Sequence, residues 1–285
     1  FTYLPRIRIA LERNCRPTDQ ILIVDDHSSD GTTEYLDKWQ SEDSRVLVLK
    51  NTGEGLVDAL NLGIETSSNL WIARFDVDDS YPDDRLEKQR THLNEETAAV
   101  FCDYEFIDED QKSLGFMPSP VNHEATVLSL IRGRRTPHPG SIFNRKMAIK
   151  AGKYQQHEFP AEDLGLWLRI AQHGKLKSVP EVLFRYRVTQ HSVSSIKRSQ
   201  MLSMRDALVL ASEVLKTSPV ELQVARTICE SYKNFSNPKP RTFFFLLELW
   251  VSLRFISDTQ ERKRLRFFVI TSFTRIFSTK FILKV

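Results

Sequence analysis

The chain has 285 residues, 41% of them hydrophobic and 27% charged, with a formal net charge of +3. That length holds one large domain or about two average ones, and the balance excludes a disordered, collagen-like or polytopic membrane chain. Three cysteines, Cys15, Cys102 and Cys229, are too few and too scattered for a disulfide framework or a zinc knuckle, which fits a reducing compartment.

Short apolar runs that stop at turn residues read as buried parallel strands. The first covers Gln20 to Val24 and stops at Asp25-Asp26; a loop with Ser28, Ser29, Asp30 and Gly31 follows, then a helical pattern through Trp39. Val46 to Leu49 is the second, leading through Gly53 and Gly55 into a helix with Leu56, Leu60 and Ile64 on one side. Leu70 to Phe75 is the third and ends at Asp76-Val77-Asp78-Asp79; a helix over about 83–95 and a fourth run, Ala98 to Cys102, come next. Strands alternating with helices of this length predict an α/β fold with a mostly parallel sheet. Farther on, 109–115 reads as a turn, 123–132 as a helix, Pro137 to Phe143 as a loop entering a strand, Glu162 to His173 as an amphipathic helix and Val182 to Tyr186 as a strand. Everything after about residue 195 reads as helices.

In parallel α/β sheets ligands bind beyond the carboxyl ends of the strands. Two strands end there in acidic clusters, Asp25-Asp26 and Asp76, Asp78 and Asp79. Gathered carboxylates repel one another unless a cation or a hydrogen-bonding ligand holds them, so a divalent metal bridging them to a phosphate-bearing substrate is the economical reading. The plainer alternative is that Asp79, Asp83 and Asp84 cap the following helix. No GxxxxGK[ST] occurs, and Gly53-Glu54-Gly55 lacks the third glycine of a dinucleotide fold. A phospho-receiver domain, with an acidic pair after its first strand and an aspartate after its third, is a second alternative, although no Lys-Pro pair follows a later strand.

The segment Val24-Asp25-Asp26-His27-Ser28-Ser29-Asp30-Gly31-Thr32 resembles the nucleotide-binding turn of family 2 glycosyltransferases of GT-A fold. Gly55 to Ile64, Ile72-Ala73-Arg74-Phe75-Asp76-Val77-Asp78-Asp79 and Asp84-Arg85-Leu86-Glu87-Lys88-Gln89 are similar to the branch that builds bacterial exopolysaccharide and lipopolysaccharide. His138-Pro139-Gly140, Gly152-Lys153-Tyr154, Glu162-Asp163-Leu164-Gly165-Leu166-Trp167-Leu168-Arg169 and Tyr186-Arg187 continue the match in order, over about residues 1–200.

The resemblance implies a GT-A nucleotide-diphospho-sugar transferase domain over 1–195 and a helical extension over 196–285. It implies an inverting hexosyl transfer from a nucleotide diphosphate sugar, most often a uridine one, to a saccharide or lipid-linked saccharide acceptor. Asp25 or Asp26 would contact the base or ribose, with Ser28, Asp30, Asn61 and Arg74 among the donor-site residues. Asp76 and Asp78 would be the DxD pair, and Asp76, Asp78 and Asp79 would hold Mn²⁺ or Mg²⁺. Asp163 would be the general base, its pKa raised by Glu162 and partial burial. Arg187 would contact the diphosphate or pair with a surface carboxylate, and His191 would contact metal or diphosphate or sit solvated in a loop. His138 falls in the family's acceptor-side loop, where Gly140 replaces the small polar residue more usual in relatives. The family's first strand, central in the sheet, has no counterpart before Phe1, which predicts an N-terminally shortened domain.

The charge is divided along the chain. Residues 231–285 carry 11 Lys and Arg against 3 Asp and Glu, the remainder 29 against 34, and 10 of the 18 phenylalanines fall in that last stretch. From Leu265 apolar residues recur at three- and four-residue spacing with Arg262, Arg264, Arg266, Arg275 and Lys280 around them. That pattern predicts a basic amphipathic helix over 260–285, either lying on an anionic membrane surface or packing on the body or a second subunit. No run long enough to span a bilayer and no leader pattern occur, so the expected location is cytoplasmic or peripheral on the inner face of the cell membrane. Nucleic acid is not an expected partner, because no basic-aromatic module accompanies the charge.

Overall fold

The computed structural model describes residues 1–131, 136–189 and 196–211. The expected His191, the domain boundary at 195 and the basic aromatic tail lie outside the described residues.

The chain opens with a helix that the sequence reading did not predict, α1 (Leu4–Asn14), with a proline in its first turn and Leu4 and Ile7 buried one turn apart. Then come β1 (Ile21–Asp25), α2 (Thr32–Glu42) and β2 (Val46–Lys50). β1 and β2 pair in parallel from Ile21 opposite Val46 to Asp25 opposite Lys50, with α2 as the crossover. Next are α3 (Gly55–Thr66), β3 (Trp71–Ala73), the short α4 (Arg85–Arg90) and β4 (Thr97–Ile107). The remaining elements are β5 (Ser113–Met117), α5 (His123–Ile131), β6 (Ile142–Asn144), α6 (Arg145–Lys150), a 3₁₀ turn (Gln156–Glu158), α7 (Glu162–Ile170), β7 (Lys175–Arg187) and α8 (Arg198–Ala211).

The second sheet is built on β4. β7 runs parallel to it along its length, while β6 and β5 pair with it antiparallel and β3 pairs antiparallel with β6. The sheet is thus more mixed than alternating strands and helices predict, because the β4–β5 hairpin and the short β6 add antiparallel neighbours. Residues 97–104 of β4 are all buried. Ala99 and Phe101 enter one core cluster, with Leu164 and Trp167 of α7 and Val57 and Ile64 of α3. Val100, Cys102 and Tyr104 enter the other, with Leu4 and Ile7 of α1, Trp39 of α2 and Phe184 of β7. A strand covered on both faces by helices has no polar face, which is why it reads as a continuous apolar run. Of α8, Met201 is buried, and Leu208 packs against the α7 core cluster.

The motif Asp84 to Gln89 acts inside the fold. Arg85 is fully buried, its guanidinium 4.2 Å from the Phe75 ring centroid and 4.9 Å from that of Tyr81, and its Nη2 donates to the Ser141 carbonyl at 3.1 Å. Gln89 donates to the Val100 carbonyl at 3.2 Å and the Gly140 carbonyl at 2.8 Å. Together they press the loop before β6 onto β4. A side chain at Gly140 would meet Cys102 Sγ at 3.0 Å and Phe184 Cβ at 3.1 Å, so the residue is set by this close approach.

β1 and β3 are not paired with each other. Between them lies an apolar cavity of about 760 Å³.

Candidate functional site

The carboxyl ends of β1, β2 and β3 each deliver polar side chains. After β1, Asp25 is buried and its two oxygens are engaged: Oδ1 accepts the Ser28 N–H at 3.1 Å and Oδ2 the Thr33 hydroxyl at 2.8 Å. Burial opposes its ionisation, but the bonds from Ser28 and Thr33 outweigh that and hold its pKa below the usual range. Asp26 is exposed, with Oδ1 accepting the Asn51 amide at 2.7 Å. Asp30 closes the turn by accepting the Thr32 N–H at 3.3 Å and hydroxyl at 2.6 Å, and Gly31 takes the left-handed conformation (φ 85°) that lets the chain enter α2.

Asn51 was missed by the sequence reading. Only 3% exposed, it sits just past β2, donates also to the Gly55 carbonyl at 3.3 Å, and its own oxygen accepts the Gly53 N–H at 3.2 Å. Its position at a strand's carboxyl end was the available signal, the same one that marks Asp25 and Asp76.

After β3, Asp76, Asp78 and Asp79 bring one carboxylate oxygen each within 4.8 Å of the others. Asp79 is the most enclosed; burial first, then the charge on Asp76, push it up to about 8 although it accepts the Arg187 N–H at 2.7 Å. Asp78 is raised by the same two causes. Oxygen ligands only, close together and costly to ionise together, suit a hard divalent cation, so this set fits Mn²⁺ or Mg²⁺. Of the capping alternative, Asp84 stands at the N-cap of α4 but makes no capping hydrogen bond and pairs with Lys88 at 2.8 Å, Asp83 pairs with Arg13 at 3.2 Å, and Asp79 accepts from Arg187 of β7.

Arg74 links this cluster to α7. Its guanidinium ion-pairs with Asp76 and donates to the Phe75 carbonyl. Glu162, at the start of α7, is buried, and burial with the neighbouring Asp163 pushes it up to about 7, while Arg74 and Asp76 also act on it. One Glu162 oxygen is buried without a partner. Asp163 is half-buried, its Oδ1 accepting the Leu164 N–H at 2.7 Å. Beside them Tyr154 and His138 share a 2.8 Å hydrogen bond; burial first, then Arg74, depress the His138 pKa, and burial raises that of Tyr154. Nothing in the local sequence of Tyr154, within Gly152-Lys153-Tyr154, marks it as a neighbour of residue 138.

Two of the expected donor residues have their polar groups engaged within the fold. Asn61 donates to the Tyr154 carbonyl at 2.9 Å and accepts the Tyr154 N–H at 3.1 Å, so its amide is used to hold α3 to the segment before α7. Arg187 is 3% exposed, and its guanidinium donates to the carbonyls of Asp78, Asp108 and Glu109 at 2.7, 2.9 and 3.0 Å.

The family model described as Glycosyl transferase family 2 matches residues 3–152. The chain belongs to that family. The match displaces the phospho-receiver alternative. TuaG of Bacillus subtilis, a putative teichuronic acid biosynthesis glycosyltransferase, is 28% identical over 188 residues, covering 64% of this chain and 72% of TuaG. The amylovoran biosynthesis glycosyltransferase AmsE of Erwinia amylovora is 27% identical over 181 residues, 61% of this chain and 66% of AmsE. An uncharacterized glycosyltransferase of Haemophilus influenzae is 26% identical over 195 residues, 62% of this chain but 58% of that protein, so the chain spans less than two thirds of that relative. Staphylococcus aureus TarS (residues 1–349) superimposes with a TM-score of 0.59 at 15% identity, over 88% of this chain and 75% of TarS. The mannosyltransferase PcManGT of Pyrobaculum calidifontis, solved with GDP-Man and Mn²⁺, gives 0.56 at 16% identity, over 97% of this chain and 83% of that one. At such identities these structures establish the fold of this family 2 glycosyltransferase, which is GT-A.

Proposed function

We propose that this family 2 glycosyltransferase moves a hexose from a UDP-sugar to a saccharide or lipid-linked saccharide acceptor, with inversion, in the synthesis of a cell-surface polysaccharide. The observation that carries the reading is Arg74: ion-paired to Asp76 and acting on Glu162, it joins the acidic set after β3 to the carboxylates that open α7. The names of TuaG and AmsE support polysaccharide synthesis, and PcManGT with its GDP-Man and Mn²⁺ supports a nucleotide sugar with a divalent cation.

In this reading each residue takes a part that its surroundings support. Asp26, exposed and steadied by Asn51, contacts the base or ribose, while Asp25 shapes the turn that presents it. Asp76, Asp78 and Asp79 hold the cation, which when bound neutralises charge on the departing diphosphate. Asp163 takes the proton from the acceptor hydroxyl as that oxygen bonds to the anomeric carbon and the bond to the diphosphate breaks from the opposite face. Glu162, buried alongside, is itself pushed up to about 7 by burial and by the charge of Asp163.

Calorimetric titration with UDP and with GDP, each with and without Mn²⁺, tests the donor; turnover of UDP-sugars by wild type and Asp163→Asn tests the chemistry. The expected result is Mn²⁺-dependent UDP binding that survives in Asp163→Asn, with transfer reduced at least about a hundredfold. Preference for GDP overturns the uridine assignment. Binding with no transfer in wild type points to a nucleotide-sugar-binding protein without turnover.

A further inference from the structure

Arg74 is anchored by its backbone and loosely held by its side chain. Its N–H donates to the Ser141 carbonyl at 3.0 Å, and the Ser141 hydroxyl donates to the His138 carbonyl at 2.7 Å, so the backbone at Arg74 is fixed to the loop before β6. The guanidinium is held by two near neighbours in the chain, the Asp76 carboxylate and the Phe75 carbonyl. Its Nε is buried with no hydrogen-bond partner among the described residues. A guanidinium offers five donor hydrogens in a rigid fork, enough to serve a second carboxylate.

A second carboxylate stands in the same cluster. Glu162 is 6% exposed, and its Oε2 is buried with no hydrogen-bond partner among the described residues. Tyr154 and His138 connect the arginine to the helix that carries it. Tyr154 lines one cavity with Arg74 and packs in the core cluster with Leu164 and Trp167 of α7; His138, bonded to Tyr154, has its ring centroid 6.0 Å from that of Trp167. Burial acts first on His138, Tyr154 and Glu162, and the charge of Arg74 bears on all three. Asp163 is less in need of a donor, because it is half-buried and its Oδ1 already accepts the Leu164 N–H. A buried carboxylate oxygen without a donor, beside a buried donor without an acceptor, calls for a second arrangement that joins them.

Asp76 supplies the occasion for it. The carboxylate that pairs with Arg74 belongs to the set with Asp78 and Asp79 that fits a divalent cation. Two positive groups on one carboxylate repel each other, so a cation at Asp76 weakens the hold on the guanidinium. The aspartate's own backbone stays in place, since its N–H donates to the Tyr81 hydroxyl at 2.7 Å.

We propose that Arg74 is a positioning residue that changes partner when a cation takes Asp76, passing its guanidinium to the buried Oε2 of Glu162 and so tying the acidic turn after β3 to the start of α7. The exchange orders the carboxylates of α7 only once the cation is in place. It rests on the cation-binding role proposed above for Asp76, Asp78 and Asp79.

The first test is calorimetric titration with Mn²⁺ alone of wild type, Arg74→Met, Glu162→Gln and the double variant. Arg74→Met removes the competitor for Asp76 and is expected to bind Mn²⁺ at least about threefold more tightly, where loss of a mere support for the turn would weaken binding. Glu162→Gln removes the second partner and is expected to bind Mn²⁺ at least about threefold more weakly, a loss that disappears in the Arg74→Met background. Weaker Mn²⁺ binding by Arg74→Met, or an equal loss from Glu162→Gln in both backgrounds, overturns the proposal. The second test leaves Arg74 unchanged. The Nε–H resonance of Arg74 is followed in wild type and Glu162→Gln as Mg²⁺ is added. In wild type it is expected to shift and to exchange with water at least about tenfold more slowly, and in Glu162→Gln to do neither. A resonance unmoved at Mg²⁺ saturation in wild type overturns the proposal. Absence of Mn²⁺ binding in all four proteins overturns the cation-site reading and this inference with it, whereas Mn²⁺ binding with additive effects removes this inference alone.

Discussion

The backbone N–H of Arg187 donates to Asp79 Oδ1 at 2.7 Å, fastening the end of β7 to the acidic turn after β3. The same residue's guanidinium closes on three backbone carbonyls, two of them in the turn after β4. One side chain therefore holds three segments whose sequence separation gives no hint of contact.

Replacing that fork with a single ammonium loses two or more of these bonds in a buried place. Arg187→Lys is expected to cost about 2–4 kcal/mol of stability. Urea denaturation measures it. Unchanged stability with weakened UDP binding would return Arg187 to the role of a ligand contact.

The acidic turn gives a pH signature. Asp79 titrates near 8 in the fold against about 4 in the unfolded chain, so from about pH 4 upward the unfolded chain loses its proton first and stability falls, levelling above pH 8. Asp79→Asn keeps an acceptor for the Arg187 N–H and removes the charge. The variant is expected to match wild type near pH 4, to exceed it by at least about 1 kcal/mol at pH 8.5, and to bind Mn²⁺ at least about tenfold more weakly. Denaturation midpoints at the two pH values and a Mn²⁺ titration check each part; Mn²⁺ at saturation should itself flatten the wild-type slope.

Gly165 in α7 lies over a buried ion pair. A Cβ there would stand 2.1 Å from Glu158 Oε2 and 2.6 Å from Oε1, and that carboxylate is already held by Arg169. Gly165→Ala is expected to destabilise by about 1–3 kcal/mol and to displace Glu162 and Asp163, one turn earlier. In a double-mutant cycle with Glu158→Ala the two losses should fall short of additivity by about 1 kcal/mol or more, since removing the carboxylate makes room. Strict additivity would mean that the helix accommodates the methyl group elsewhere.

Asn51→Ala removes the amide that steadies Asp26 and the acceptor for Gly53. The expected outcome is a stability loss of about 1–2 kcal/mol together with weaker UDP binding, roughly tenfold, while Mn²⁺ binding to the cluster after β3 is retained. Calorimetry with each ligand separately distinguishes this from general unfolding.

Much of this site was legible because burial and chemistry coincide at strand ends. The apolar runs before Asp25 and Asp76 and the amphipathic start of α7 each carry a local pattern, and the structure places all three as elements. Other features depend on partners distant in sequence. β7 reads as a strand only from Val182, because Pro180 and Glu181 interrupt the run; the structure passes them in a register shift, with Val179 opposite Cys102 and Val182 opposite Asp103. β5 is an edge strand with exposed residues and a glycine, so it resembles the turn that precedes it. Asn61 and Arg187 are polar residues within family motifs, and residue type alone does not separate an amide that holds a ligand from one that holds a backbone.

The pairing of β4 with β7 also governs the order in which the chain comes to rest. β4 meets β5 through a tight hairpin, but its parallel partner is synthesised only after β5, α5, β6 and α7. Until then a strand whose residues 97–104 are all buried in the fold keeps one edge unfilled, and closing such non-local parallel pairings is slow. Yield on refolding should accordingly depend on protein concentration and on holdase chaperones more steeply than native stability would suggest.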